Sequence, residues 1–277
     1  MKRQLTLLMM VVIFCSADIY TYTPTSYVKM NLKGSIKDLT ELENRLSSEE
    51  NPLIINNSIK SFDKNGRLIQ FSRFKNHKLF SKINYFYSAE GNIDHTIESN
   101  PDGSDYLKVN YFYDEEGHLT HKIYDRSNQK SYNANREKLE VEYDDYYNRL
   151  FTKVIYKCDY KGFKLEEKFL NNKDELTRKL TYKYDYKYNL VELKIYNAKG
   201  QVEKRIKYRY NNNNDVLESK TYISNRLALT SSFDYVYDQN KNWTSRTEKR
   251  KLQENLFTAN IDKSDILTQR IITYYVN

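Results

Sequence analysis

Four histidines, His77, His95, His118 and His121, all fall between positions 77 and 121. Imidazole is the commonest metal ligand, and a zinc site needs three or four donors converging on one point. His118 and His121 are three residues apart, which in extended backbone aims them at opposite faces. No cysteine pair supports them, so no metal or cofactor site is expected. Hydrolysis would need a paired acid and base in a cleft. The acidic residues instead cluster at turns or alternate with lysine, as solvated faces do. No GxSxG, HExxH or phosphate loop is present. No catalytic residue is assigned, and the expectation is a protein that is not an enzyme. The chemistry left is binding. Arg246, Lys249, Arg250 and Lys251 form the densest basic spot and are the candidate anionic-surface residues. For the run Lys249-Arg250-Lys251, a solvated guard against strand-to-strand aggregation on a sheet edge is the favoured reading.

These residues sit on a chain of regular punctuation. Turn signals recur at alternating intervals of 12 and 14 residues: Asp159 to Gly162, Asn171 to Asp174, Asp185 to Tyr188, Asn197 to Gly200, then Asn211. Gly, Asn and Asp gather there because tight hairpin turns need residues that tolerate positive φ. The chain has seven glycines, too few for every turn, so Asn148, Asn189, Asn242 and the run Asn211 to Asn214 take over. Between turns the pattern alternates. Leu180, Tyr182 and Tyr184 point one way, and Lys179, Thr181 and Lys183 the other. Period two with aromatic enrichment predicts antiparallel strands. Thr40 to Leu46 is ambiguous alone, but it follows Gly34-Ser-Ile36, which matches the end of a turn, so it reads as a strand.

The two intervals sum to a repeat of 26. Tyr111-Phe-Tyr113-Asp114-Glu-Glu-Gly117-His-Leu119 is its fullest copy, and Tyr85-Phe-Tyr87 precedes it by one period. Tyr182-Lys-Tyr184-Asp185 and Tyr208-Arg-Tyr210-Asn211 are again one period apart. A fixed period of this length means units completed by their neighbours. The 27 tyrosines would stack as half-buried ladders on one face of a thin sheet. Cys158 stands at a tyrosine position of the repeat and reads as a buried filler.

Residues 1–17 have the grammar of a secretory signal peptide: Lys2-Arg3, an apolar run from Leu5 to Phe14, then Cys15-Ser-Ala17. The run is shorter than the ~20 residues a membrane helix needs. Phe14 occupies the place where a lipobox wants a small residue, which disfavours acylation of Cys15. No second long apolar run follows, so no transmembrane segment is expected after cleavage near Asp18. Residues 18–33 form a lead-in and 34–277 one repeat domain. Residues 151–277 hold 25 Lys/Arg against 16 Asp/Glu. That excess fits attraction to an acidic glycan, lipopolysaccharide or anionic lipid. Export makes nucleic acid an unlikely partner.

Tyr113-Asp114, Gly117 and Leu119 resemble the tyrosine-aspartate (YD) repeat of bacterial RHS proteins. Tyr237-Asp238-Gln-Asn-Lys241-Asn242-Trp243-Thr244-Ser-Arg246 is similar to the last repeat of small exported RHS-repeat-like proteins of Bacteroidetes, with Lys241 where that family has Gly. The resemblance implies β-hairpins wound in a strip. About nine units are far too few for the closed shell of full-length RHS proteins. The expected architecture is therefore all-β, an elongated twisted antiparallel β-hairpin repeat ribbon. The expected protein is a periplasmic, surface or secreted module that binds envelope glycan or protein. The alternatives are a purely structural envelope protein and an enzyme acting on polysaccharide.

Overall fold

In a computed structural model of the chain, residues 30, 32–46, 53–75, 77–125, 152–253 and 265–275 are described. Residues 1–17, read above as an export segment and including Cys15, lie outside them, as does Asn148. The strands are β1 (Ile36–Leu46), β2 (Leu53–Phe62), β3 (Leu68–Lys75), β4 (Lys78–Tyr87), β5 (Ile93–Ser99), β6 (Asp105–Tyr113), β7 (Leu119–Asp125) and β8 (Lys153–Cys158). They continue as β9 (Lys164–Leu170), β10 (Leu176–Tyr184), β11 (Leu190–Asn197), β12 (Val202–Tyr210), β13 (Val216–Ile223), β14 (Arg226–Tyr237), β15 (Trp243–Leu252) and β16 (Asp265–Tyr274). The ambiguous Thr40 to Leu46 lies within β1.

A single turn design explains the motif. Asp159 Oδ1 accepts hydrogen bonds from the N–H groups of Lys161 and Phe163, both at 2.9 Å. Asp63, Asp185 and Asp238 do the same for the residues two and four further on. Asn171, Asn197 and Asn211 serve as well, because only the acceptor oxygen is used. The aspartate is thus an Asx-turn acceptor. The positive φ falls three residues later, on Gly117 or Gly162. Lys241 holds that position with φ 61°. The register shifts by one just before the turn, for example between Phe112 and Tyr113. The extra residue, Thr120, lies on the following strand, so that Leu119 and Lys122, three apart, both turn toward the buried face.

The expected ribbon is overturned by the strand order. Each strand pairs with its sequence neighbour, and β16 returns to pair with β1, so the order closes as a sixteen-stranded antiparallel barrel. The open strip implied by the RHS/YD resemblance is corrected with it. The all-β class stands; the ribbon does not. An open ribbon leaves two strands with unpaired backbone N–H and C=O groups, and closure removes both edges. Here the seam runs from Ile36↔Tyr274 to Leu46↔Asp265, with one register shift between Ile36 and Asp38. Asn242 is 1 % exposed and pins the chain ahead of β1. Its Oδ1 accepts from Lys33 N and its Nδ2 donates to Lys33 O, both at 2.7 Å. The Tyr274 hydroxyl donates to Asp238 Oδ2 at 2.9 Å. The Asn-Trp segment of the last repeat therefore serves closure.

Two compact units divide the chain: residues 1–68 with 206–277, and residues 69–205. In the second, the buried face is tyrosine with cations laid on it. Tyr111, Tyr156 and Tyr182 are buried, as are Val109, Leu119, Val154 and Leu180. Lys122 is fully buried, with its ammonium 4.6 Å from the Tyr111 ring centroid and 5.6 Å from that of Tyr156. Lys164 lies over Tyr156 and Tyr182 and pairs with buried Glu167. The face is a core at Tyr111, Tyr156 and Tyr182, while Tyr85, Tyr87, Tyr113 and Tyr184 are half-buried, as the sequence suggests. Cys158 sits at its margin, half-buried, with Sγ 3.7 Å from Leu119 O.

Candidate functional site

The first unit holds the predicted basic residues and separates them. Alternation along β15 sends Arg246, Glu248 and Arg250 to the buried side and Lys249 and Lys251 outward. Arg246 lies 5.3 Å from the Trp243 ring and 5.6 Å from that of Phe233, and its Nη2 donates to Thr268 Oγ1 at 3.1 Å. Arg250 Nε donates to Glu248 Oε1 at 2.8 Å. Lys249 is exposed and pairs with Asp234 at 2.9 Å. Lys251 is exposed. The four do not form one patch.

Trp243 is the centre of this group. The Arg270 guanidinium stacks 3.3 Å from the Trp243 ring centroid and donates to Glu41 Oε1 at 3.0 Å. Lys60 pairs with the same carboxylate. Burial pushes the Glu41 carboxyl up, but Lys60 and Arg270 more than offset that and hold it well below the usual carboxylate range. The cations here lie against aromatic faces and carboxylates.

In the second unit, His118 Nδ1 lies 3.4 Å from Asp114 and 3.7 Å from Glu116. These three side chains could share a cation. Beside them, a cleft of about 460 Å³ opens between the β4–β5 and β6–β7 turns, lined by Glu90, Asp94, Asp114, Glu115 and Glu116. Asp114 Oδ1 already accepts the His118 N–H at 2.7 Å, so the group also serves its turn.

The feature that the sequence reading missed lies on the exposed face. The middle residue of the Tyr-x-Tyr motif points outward and meets a fixed partner on the next strand. In the hairpins that begin at β8 and β10 this pair is Lys157↔Glu166 and Lys183↔Glu192. At the same repeat position of the β12–β13 hairpin, Arg209 and Glu218 lie 3.6 Å apart. In the β4–β5 hairpin the pair is Phe86↔His95, and in β6–β7 it is Phe112↔His121. Both pairs stack, with centroids 4.4 and 4.3 Å apart and interplanar angles of 9° and 1°. Both phenylalanines remain about two-fifths exposed, at 42 % and 39 %. Ile155 of β8 lies beside His121 and is also exposed. Burial, with Lys153 nearby, holds the His121 pKa below the ordinary imidazole value, so the ring is neutral near pH 7. The signal for this site was a 26-residue alignment of outward positions: 86 and 112 against 157, 183 and 209.

No protein-family model matches the chain, and no curated protein matches its sequence. The fold is similar to that of a porin-like protein from Bacteroides uniformis, with a TM-score of 0.55 and 11 % identity over 87 % of this chain and 98 % of that one. A porin-like protein from Bacteroides vulgatus aligns over 84 % of this chain and 97 % of that one, with a TM-score of 0.42 and 11 % identity. The first of these shares the closed-barrel fold, which corrects the RHS/YD assignment from the side of known structures too.

Proposed function

We propose that this chain is an exported, non-enzymatic envelope protein that binds a saccharide chain on its exposed sheet face. Phe86/His95 and Phe112/His121 are its two stacking platforms. One observation carries the reading: where the hairpins that begin at β10 and β12 place an ion pair, and β14–β15 sets Val236 opposite Ser245, these two hairpins place exposed parallel rings. An ion pair would hold the sheet as well and would be better solvated. A flat ring presents a negative face, which suits the polarised C–H face of a pyranose. The platforms stand two strands apart, about 10 Å at ~4.8 Å per strand, near the reach of a disaccharide. The export reading rests on Lys2-Arg3, the Leu5 to Phe14 run and Cys15-Ser-Ala17.

The likeness to a porin-like protein favours an envelope setting, but the residues speak against a lipid-facing wall. A membrane barrel alternates an outward apolar band with a polar interior, and a Lys or Arg facing lipid at the midplane costs about 2–4 kcal/mol. Here the exposed face carries Lys157, Lys168, Lys183, Lys207 and Arg209, and the buried face carries Lys122 and Lys164. Neither face offers lipid a continuous apolar band.

The test is a glycan array with mature wild-type protein, then Phe86→Ala/Phe112→Ala. A saccharide hit abolished by the double substitution and retained by Lys183→Ala is expected. Hits indifferent to the rings would sink the platform reading, and a blank array with envelope localisation would favour a purely structural role.

A further inference from the structure

The turns β8–β9 and β10–β11 repeat a hexapeptide, Tyr156-Lys-Cys-Asp-Tyr160-Lys161 and Tyr182-Lys-Tyr-Asp-Tyr186-Lys187. Its first half builds sheet and turn, as shown above. Its last two residues do neither. Tyr160 and Tyr186 are 79 % and 86 % exposed, at tip positions where other repeats carry Glu115, Asn212 and Gln239. A large apolar ring in that place contributes nothing to folding. Each tyrosine is followed by a lysine whose ammonium lies over it, at 5.6 Å for Lys161 on Tyr160 and 5.7 Å for Lys187 on Tyr186.

The first turn is elaborated further. Lys161 also lies 4.3 Å from the Tyr188 centroid. The Tyr160 and Tyr188 hydroxyls are 3.4 Å apart, and Tyr188 stacks on Phe163 at 4.4 Å. Tyr188 occupies the left-handed position with φ 63°, where Gly117 and Gly162 stand in other turns. Asp174, Asn214 and Lys241 hold the same position in their turns, so the conformation belongs to the turn, and what is particular here is the aromatic ring that it carries. The hydrogen bond from Lys161 holds the Tyr188 phenol below its ordinary pKa.

Lys60, Lys164, Lys179, Lys183, Lys194 and Lys220 each meet a carboxylate. Among the described residues, Lys161 and Lys187 form no ion pair, as is true of exposed Lys157, Lys173, Lys199 and Lys207, and what sets the two apart is the exposed ring beside each. The nearby carboxylates of Asp159 and Asp185 are held by their own turns. Two ammonium groups framed by exposed rings therefore lack an anion. β8 pairs directly with β7 at His121↔Ile155, so this edge continues the face that carries the platforms.

We propose that Tyr160, Lys161, Tyr186, Lys187 and Tyr188 form a subsite for the carboxylate-bearing residues of an acidic polysaccharide. The rings stack the sugar and the lysines take its carboxylates. The inference rests on the saccharide reading above and names the ligand class: a uronate-containing chain. The probes are oligogalacturonate and alginate oligosaccharides, each with its carboxyl-reduced counterpart, titrated calorimetrically into the mature full chain. Wild type should bind an acidic probe at least tenfold more tightly than its reduced form. Lys161→Ala/Lys187→Ala should abolish that preference and leave the reduced form bound within twofold. Tyr160→Ala/Tyr186→Ala should weaken both forms. Equal binding of acidic and reduced chains by wild type, or binding of neither, overturns the subsite, as does a lysine variant that keeps the preference. The platform reading fails separately, if Phe86→Ala/Phe112→Ala binds the reduced chains as wild type does.

Discussion

The hairpins β4–β5 and β6–β7 and the hairpins β8–β9 and β10–β11 are built alike and face solvent differently. All four use the same turn, the same bulge and inward tyrosines. At the outward motif position the first two stack Phe on His, and the second two set Lys opposite Glu. Their turns differ as well: Glu90, Glu115 and Glu116 in the first pair, Tyr160-Lys161 and Tyr186-Lys187 in the second. Because the fold is common to both, the difference cannot serve the fold. On the proposed reading it separates a scaffold face from a binding face.

The largest effects should come from what the two regions share. Tyr111→Ala and Tyr182→Ala should each destabilise the protein by about 3–5 kcal/mol in urea unfolding, the usual cost of emptying a buried aromatic site. Glu167→Ala should cost a similar ~3–5 kcal/mol, because it leaves the Lys164 ammonium buried without its carboxylate. A loss in only one region would mean that the two buried faces are not equivalent.

Removing one platform ring should cost less. Phe112→Ala should destabilise by about 1 kcal/mol, since the ring is half-exposed and its stacking is worth ~0.5–1.5 kcal/mol. A sharper test converts one region into the other. Phe112→Lys with His121→Glu installs the pair found at Lys183 and Glu192. Stability should change by less than about 1 kcal/mol, while saccharide binding falls. Retained binding would break the link between rings and function. Lys183→Ala should be smaller still, within about 0.5 kcal/mol, because that pair is 3.8 Å apart and its lysine exposed.

The smallest expected effect is on pH. The folded protein holds the His121 pKa below its unfolded value of about 6.5. The unfolded chain then takes up the proton first. This contribution is fully present above the unfolded value and is lost as pH falls through the lowered folded one. Thermal melts at pH 7 and pH 5 should show a smaller drop in His121→Gln than in wild type. An identical drop would assign the acid sensitivity elsewhere, with Glu41 a candidate only at lower pH.

Much of this was legible from local rules. Alternation of Leu180, Tyr182 and Tyr184 with Lys179, Thr181 and Lys183 gave strand and face, because period two is imposed by backbone geometry. Spacing of Asp, Asn and Gly gave the hairpins, because each turn fixes its own register. The proposed binding face was harder to see. Phe86 and Phe112 sit inside the most regular copies of the motif, and only the partner across the strand shows that a ring has replaced a salt bridge. The basic run Arg246 to Lys251 shows the converse. It is contiguous in sequence, yet a strand distributes it over two faces.

The sequence by itself determined a repeating antiparallel β-sheet with tyrosine on one side and charge on the other. Every contact that specifies it lies within about 26 residues. The tertiary structure alone decided that the sheet closes. The β1–β16 seam joins residues more than two hundred positions apart, and its outcome depends on twist and coil accumulated over every intervening strand. A single repeat carries no record of that sum. Once the edges meet, backbone groups that a ribbon would leave to water are paired; within each unit the buried face holds charges that need partners, Lys122 and Lys164 in one and Glu41 in the other. The same closure leaves the opposite face to solvent, where the stacked rings and the unpaired lysines remain available.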